Sequence, residues 1–268
     1  MRGFSRVLGA EVYKARYRRS TWALPISAAA VTAMVFFAVD YAAGRDWIGV
    51  PGGWYLASST TGWMIDITGL IAIVMTCFAV SGEFSRGTVK PALTRGISRG
   101  GWYAGRVVAV CAATTVLLAA VMLTALALAG TLRSLSDLLE KDFLIHSSAD
   151  LFRGFVLCSA LTLAVLWAVV SAAAMVSSLV GRAGSAIALA IFLAAGMTVL
   201  SVFDPLRPFL LGDALGLPMA QMISMSKGLP LPLEWSSLAR RTLLCAAGWT
   251  AATCALGILV MRRKEITF

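Results

Sequence analysis

Charged residues are scarce in this sequence. Only 13% of its 268 residues are Asp, Glu, Lys or Arg, whereas 59% are hydrophobic. Soluble domains carry roughly 25% charged residues, so this chain has about half of the charge that a water-facing surface needs. The composition predicts an integral membrane protein. The length of the chain therefore indicates a number of membrane-spanning helices of roughly 20 residues each, rather than a number of soluble domains.

Residues that carry catalysis are scarce as well. The single histidine, His146, lies in a polar stretch, where we expect a solvated side chain, and one histidine excludes an HExxH metal site. None of the five lysines is followed by Ser or Thr, which excludes a GxxxxGK[ST] phosphate loop. We expect no enzyme activity, no catalytic residue, no metal site and no cofactor in this chain.

Sulfur-bearing residues give no sign of a metal or disulfide site. The five cysteines all lie in apolar runs without CxxC spacing and are predicted to be buried free thiols. Met219, Met222 and Met225 have helical spacing. No Cys or His accompanies them, so we predict that they pack in a core rather than bind a soft metal.

Apolar runs long enough to span a membrane occur six times. We predict an all-α integral membrane protein in which residues 1–268 form a single transmembrane domain. The predicted spans are residues 22–43, 62–81, 103–130, 155–180, 186–203 and 242–261.

Four segments outside the predicted spans have structures that can be predicted from their composition. Residues 1–21 combine helical apolar spacing with basic residues, which indicates either an amphipathic helix in the membrane interface or a simple topology signal. Residues 44–61 are predicted to be a loop, and residues 131–152 a polar loop with a short surface helix. Residues 204–240 contain five prolines and are predicted to form one or two short re-entrant or surface helices.

Basic residues are concentrated on one side of the predicted bundle. Of the 23 Lys and Arg residues, 15 fall on the side that carries both termini and the segment between spans 2 and 3. The positive-inside rule places this side in the cytoplasm, although Arg240 and Arg241 run against the rule. The same distribution accounts for the net charge of +10 without nucleic acid, because it forms no contiguous water-soluble basic face.

The segment Gly82–Arg106, between spans 2 and 3, is short, basic and rich in turn residues. We call it the central basic segment. Gly87 permits a tight turn, Thr88 can cap a following short helix, and Pro91 suits the first turn of that helix. These residues predict a cytoplasmic element that a soluble partner can contact.

Charged residues of the central basic segment, and Asp66 in the span before it, have more than one interpretation. Arg86, Arg95 and Arg99 either pair with acids on a partner or only set the topology, whereas the acid Glu83 runs against the local charge bias. Asp66 lies about one turn inside the second predicted span. It either contacts a substrate or caps the span at the outer interface.

The central basic segment resembles a motif of the permease subunits of ABC-2 type ABC transporters. The similar residues are Glu83-Phe84-Ser85-Arg86-Gly87-Thr88, then Leu93, Ile97-Ser98-Arg99 and Arg106. The six-span plan and the start Glu11-Val12-Tyr13-Lys14 are also similar to these permeases. Two residues depart from the pattern: Gly96 stands where Pro is common, and Arg106 where Lys is common.

The resemblance implies a small bacterial permease of the plasma membrane with both termini in the cytoplasm. Residues Glu83–Arg99 would form a coupling helix that docks on a separate ATP-binding subunit, which holds ATP and Mg²⁺. The implied contact residues are Glu83, Phe84, Arg86, Gly87, Thr88, Arg95, Ser98 and Arg99. A second permease, identical or paralogous, would complete an exporter of an amphipathic, lipid-like or peptide-antibiotic-type substrate.

Two other classes of function remain open at this point. The chain could be a membrane scaffold or sensor whose cytoplasmic segment recruits a regulator without transport. A secondary transporter is disfavoured, because such proteins use several buried acids to carry protons or ions and Asp66 is the one inward candidate of note.

Overall fold

The computed structural model describes residues 2–17, 19–46, 52–94, 96–140, 143–229 and 235–264. Within these residues the chain forms nine α-helices and one two-stranded sheet. In chain order the elements are α1 (Arg2–Tyr17), α2 (Arg19–Asp46), α3 (Gly53–Ser85), α4 (Val89–Thr94), α5 (Arg99–Leu132), β1 (Leu138–Glu140), β2 (Phe143–His146), α6 (Ser148–Leu179), α7 (Ala183–Leu200), α8 (Leu211–Ser226) and α9 (Trp235–Arg263). Six of the helices, α2, α3, α5, α6, α7 and α9, are long and apolar enough to cross a membrane, as predicted.

The predicted loop 44–61 is wrong over most of its described length. Helix α2 continues to Asp46 and α3 already begins at Gly53. The hydroxyl-bearing residues 58–61 are buried within α3, where Ser58 donates its hydroxyl to the carbonyl of Trp54 at 2.7 Å. A Ser or Thr hydroxyl that bonds to its own helix is compatible with an apolar environment, so polarity alone did not end this helix.

The other predicted span limits differ by fewer residues. The fourth and fifth spans end at Leu179 and Leu200, slightly before the predicted limits, and the last begins at Trp235 rather than at residue 242. After α7 the chain leaves helical geometry in a run of turns before the short 3₁₀ helix Arg207–Phe209.

The segment between α5 and α6 contains a β-hairpin instead of the predicted surface helix. Strands β1 and β2 pair antiparallel, with Leu139 opposite Leu144 and Glu140 opposite Phe143. The short apolar runs 138–139 and 143–145 lie on either side of the polar residues 140–142, and a short polar connection between such runs is typical of a hairpin. The side chains of Leu138 and Ile145 reach Gly228, just beyond the end of α8.

Helix α8 fills much of the region that was predicted to hold short helices before the last span. It packs against α6 and α3, with Leu215 beside Gly69 and Ile223 beside Gly62. Met219, Met222 and Met225 lie in the core, as the packing interpretation predicted. α8 therefore starts near the middle of α3 and runs towards the first residues of that helix.

Charged residues mark both ends of the bundle. At one end Arg106 of α5 meets Glu83 of α3, and at the other Arg133 bonds Asp40 of α2 at 2.9 Å. The rise along α5 between the two arginines is about 40 Å, which matches a bilayer with its headgroup regions. We refer to these as the Glu83 end and the Asp40 end.

Candidate functional site

The turn after α3 is held by bonds back to Glu83. The backbone N–H of Thr88 donates to the Glu83 carbonyl at 3.2 Å, and the Thr88 hydroxyl donates to a Glu83 carboxylate oxygen at 3.1 Å. Gly87 takes a positive φ of 68°, as its predicted turn role requires. The Thr88 hydroxyl thus fastens the turn to α3, and Pro91 lies in the first turn of α4, as predicted.

Four charged side chains from three helices meet beside this turn. Arg106 of α5 contacts the carboxylates of Glu83 and Glu11 at 2.7 and 2.9 Å. Lys14 of α1 contacts Glu11 at 3.1 Å and Glu83 at 3.8 Å. We call Glu11, Lys14, Glu83 and Arg106 the charge cluster; its two acids and two bases balance.

Burial gives Arg106 a central place in the charge cluster. Its side chain is 8% exposed, compared with 53% for Lys14. Burying a guanidinium is costly unless its charge is paired, and its fixed fork of donors suits two carboxylates at once. The cluster therefore ties the beginning of the chain, the end of α3 and the beginning of α5 into one unit.

Aromatic and basic residues extend this unit towards the end of the chain. Phe84 packs edge-on against Trp102 at 5.6 Å, and the Lys264 ammonium lies 4.5 Å from the centre of the Phe84 ring. Lys264 also donates to the Ser178 carbonyl at the end of α6 at 2.7 Å. Burial lowers the pKa of Lys264 below its ordinary value.

Arg99 and Ser98 hold the start of α5. The Arg99 guanidinium donates to the carbonyls of Arg262 and Lys264 at 3.2 and 2.8 Å, so it covers the carboxyl end of α9. The Ser98 hydroxyl accepts from the Gly101 N–H at 3.1 Å as an N-cap. A groove of about 360 Å³ lies beside them and reaches Ile258 and Arg262.

The predicted contact residues differ in their exposure and in the contacts that they make. Arg86, Gly87 and Thr88 are exposed, and Arg95 lies outside the described residues. Glu83, Phe84, Ser98 and Arg99 make the internal contacts described above, although Ser98 is also exposed. Thr88 likewise combines exposure with its bonds to Glu83. In the sequence, Glu11, Lys14 and Arg106 were noted only as residues of the permease motif. No pattern in the sequence predicted that they contact Glu83.

Two further sequence expectations concern single residues. Asp66 is exposed, but it lies about 13 residues into α3 instead of one turn inside, because this helix begins before the predicted span. His146 belongs to β2, and its Nε2 atom is buried without a hydrogen-bond partner among the described residues, so it is not the solvated side chain that we expected. The described part of the chain holds no group of His, Cys, Asp or Glu that could bind a metal ion.

Together, the six long apolar helices and the charged ends define a helical multi-pass membrane protein. The chain belongs to the family described as "Protein of unknown function (DUF2705)", which it matches over residues 27–267. No curated protein matches it. The family description assigns no activity.

Proposed function

We propose that this chain is the membrane subunit of an ABC-2 type exporter in the bacterial plasma membrane. It would act as a dimer with an identical or paralogous permease and would move an amphipathic, lipid-like or peptide-antibiotic-type substrate outward. A separate subunit would bind ATP and Mg²⁺ and carry out hydrolysis. The resemblance of residues 83–106 to these permeases suggests the proposal.

One observation supports it most directly: the turn 86–88 is exposed on one side and firmly anchored on the other. Arg86, Gly87 and Thr88 offer charge and open backbone to a partner. Directly before them, Glu83 and Phe84 are fixed by Arg106, Trp102 and Lys264. A surface that receives force from another protein needs both properties.

The contacts around the turn supply a route for that force. Movement of Glu83 would act on α1 and α5 through Arg106, because all three elements share this one buried guanidinium. Movement of Phe84 would act on α6 and α9 through Lys264. Rigid-body rearrangement of helices is a common means of alternating between transport states.

The finer parts of the predicted fold belong to the same proposal. Helix α1 would lie in the cytoplasmic interface, and α8 would be the re-entrant helix on the outer side. The coupling element of residues 83–99 would include the turn 86–88 and α4. Both termini would be cytoplasmic, at the Glu83 end. Contact with the ATP-binding subunit would fall to Arg86, Gly87 and Thr88, and to Arg95, which follows α4 in the sequence. Glu83, Phe84 and Arg99 would support the surface from within, and Ser98 would cap α5.

The experiment that tests this proposal is affinity purification of the tagged protein from its native membrane in mild detergent. We expect a soluble ATPase subunit to co-purify and Arg86→Glu to reduce its recovery at least about tenfold, because a reversed charge at the contact opposes docking. The matched control is Arg182→Glu, at an exposed arginine in the α6–α7 turn.

The outcomes separate the two classes of function. Loss of the ATPase with Arg86→Glu and its retention with Arg182→Glu would support the permease. If no ATPase accompanies the unaltered protein, the scaffold or sensor function replaces the exporter. If both variants retain it, the turn 86–88 is not the docking surface.

A further inference from the structure

Asp66 differs from the other acids in the candidate spans. Asp40 bonds Arg133, Glu83 bonds Arg106, and Asp150 accepts a bond from the Ser147 hydroxyl at 2.6 Å. Among the acids in the described spans, Asp66 alone has neither an ion pair nor a hydrogen bond to another described residue. Its carboxylate is nevertheless exposed at the surface of the bundle.

The surroundings of Asp66 on α3 are apolar and aromatic. Trp63, Ile67 and Leu70 are 68%, 37% and 48% exposed. Their spacing relative to Asp66 places all four residues on one face of the helix. We call Trp63, Asp66, Ile67 and Leu70 the Asp66 stripe.

The position of the stripe along the bundle makes an unpaired acid costly. Along α3, Asp66 lies roughly 20 Å from Gly53 at the Asp40 end and roughly 26 Å from Glu83. Arg207 precedes α8, which begins near this level beside Gly69, but it is already bonded to Asp213 at 2.9 Å. Acids at membrane depth face protein or water and meet a counter-charge, so a free carboxylate here is unfavourable against lipid alone.

We infer that the Asp66 stripe binds an amphipathic cation, with an amine or quaternary ammonium headgroup and an apolar tail. The carboxylate supplies the opposite charge, and the indole of Trp63, one turn away on the same face, offers a cation–π surface. The tail would lie along Ile67 and Leu70. This inference deepens the proposed function, on which it rests, by naming a cationic amphiphile as the transported class.

Photocrosslinking in liposomes tests the inference. The probe is a dodecylamine that carries a diazirine in its chain, and its N-acetylated, uncharged form is the matched comparison. After illumination, the labelled peptides are mapped by mass spectrometry. We expect the amine to label the peptide that contains Trp63–Leu70 at least about tenfold more than the acetylated form does.

Three variants connect the labelling to the carboxylate. Asp66→Asn should reduce labelling by the amine to the level of the uncharged probe, and Asp66→Glu should preserve it. Asp204→Asn removes an equal charge from the exposed turn after α7 and should leave labelling of the stripe unchanged.

Equal labelling by both probes, or an unaltered pattern in Asp66→Asn, overturns the inference. It is also overturned if the amine labels other peptides of the protein and leaves the stripe unlabelled. The proposed function has a separate readout, which is co-purification of the ATPase. If the ATPase co-purifies but labelling does not depend on the charge of the probe, only the cation site fails. With Asp66-dependent labelling but no ATPase, the site stands and the exporter fails.

Discussion

Arg106 holds carboxylates from two different helices, and its burial makes this contact costly to disrupt. In Arg106→Met, Glu11 and Glu83 would remain close together without their main counter-charge. We expect a loss of stability of about 3 kcal/mol, because removal of one partner leaves buried charges uncompensated. A lower melting temperature of the purified protein in detergent would report it.

Lys14→Met is the control for this prediction. Lys14 belongs to the same cluster but is more than half exposed, so its loss should cost no more than about 1 kcal/mol. Adding Glu11→Gln and Glu83→Gln to Arg106→Met should restore part of the stability, since no buried charge would remain unpaired. Equal effects of Arg106→Met and Lys14→Met would contradict the central place of Arg106.

Single residues of the charge cluster could be recognised in the sequence, but their contacts could not. Glu83 could be singled out because it is an acid in a basic segment, and Gly87 because it lies in a turn. That Glu83 bonds Arg106 and Glu11 depends on how α1, α3 and α5 pack, and neither charge bias nor helical spacing contains that information. Arg99 illustrates the same limit, because its partners are carbonyl groups about 160 residues away.

At the scale of elements, the close approach of α1 to α5 depends on Gly105. A Cβ atom at this position would lie 2.7 Å from Cγ1 of the buried Val7. We expect Gly105→Ala to loosen α1 and weaken the charge cluster, because both helices would have to separate. Faster hydrogen exchange or earlier proteolysis within α1 would show this effect.

Gly9→Ala is the matched control within α1 itself. A Cβ at Gly9 meets nothing within 4 Å, and alanine favours a helix by up to about 1 kcal/mol over glycine. This variant should slow exchange in α1 rather than accelerate it. Equal protection of α1 in Gly105→Ala and the unaltered protein would show that the contact with Val7 does not hold the helix in place.

The helices with long apolar runs were predicted from the sequence, and the short strands were not. Six long apolar runs specify six helices because a single segment in lipid can satisfy the hydrogen bonds of its own backbone only by forming a helix. The hairpin of β1 and β2 and the start of α3 at Gly53 were missed for opposite reasons. The hairpin is too short for a period to be read, and the hydroxyl-rich start of α3 is helical because it is buried in the bundle.

At the scale of the whole molecule, the contacts group distant parts of the chain at two ends. The charge cluster, the α6–α7 turn and the end of α9 lie at the Glu83 end, joined by Arg106 and Lys264. Asp40, Arg133 and the hairpin between α5 and α6 lie at the other end. Any orientation in a membrane therefore places all members of one group on the same side.

The orientation is testable with introduced cysteines and a membrane-impermeant maleimide. If the positive-inside rule holds, the Glu83 end is cytoplasmic. In intact cells we then expect labelling of Ser136→Cys, an exposed position in the loop before β1, but not of Gly181→Cys, an exposed position in the α6–α7 turn.

The unaltered protein measures any background from its five cysteines, all buried or half-buried within helices. Permeabilised cells should label both variants. The reverse pattern in intact cells would place the turn 86–88 outside, where a cytoplasmic ATPase could not reach it, and would overturn the exporter.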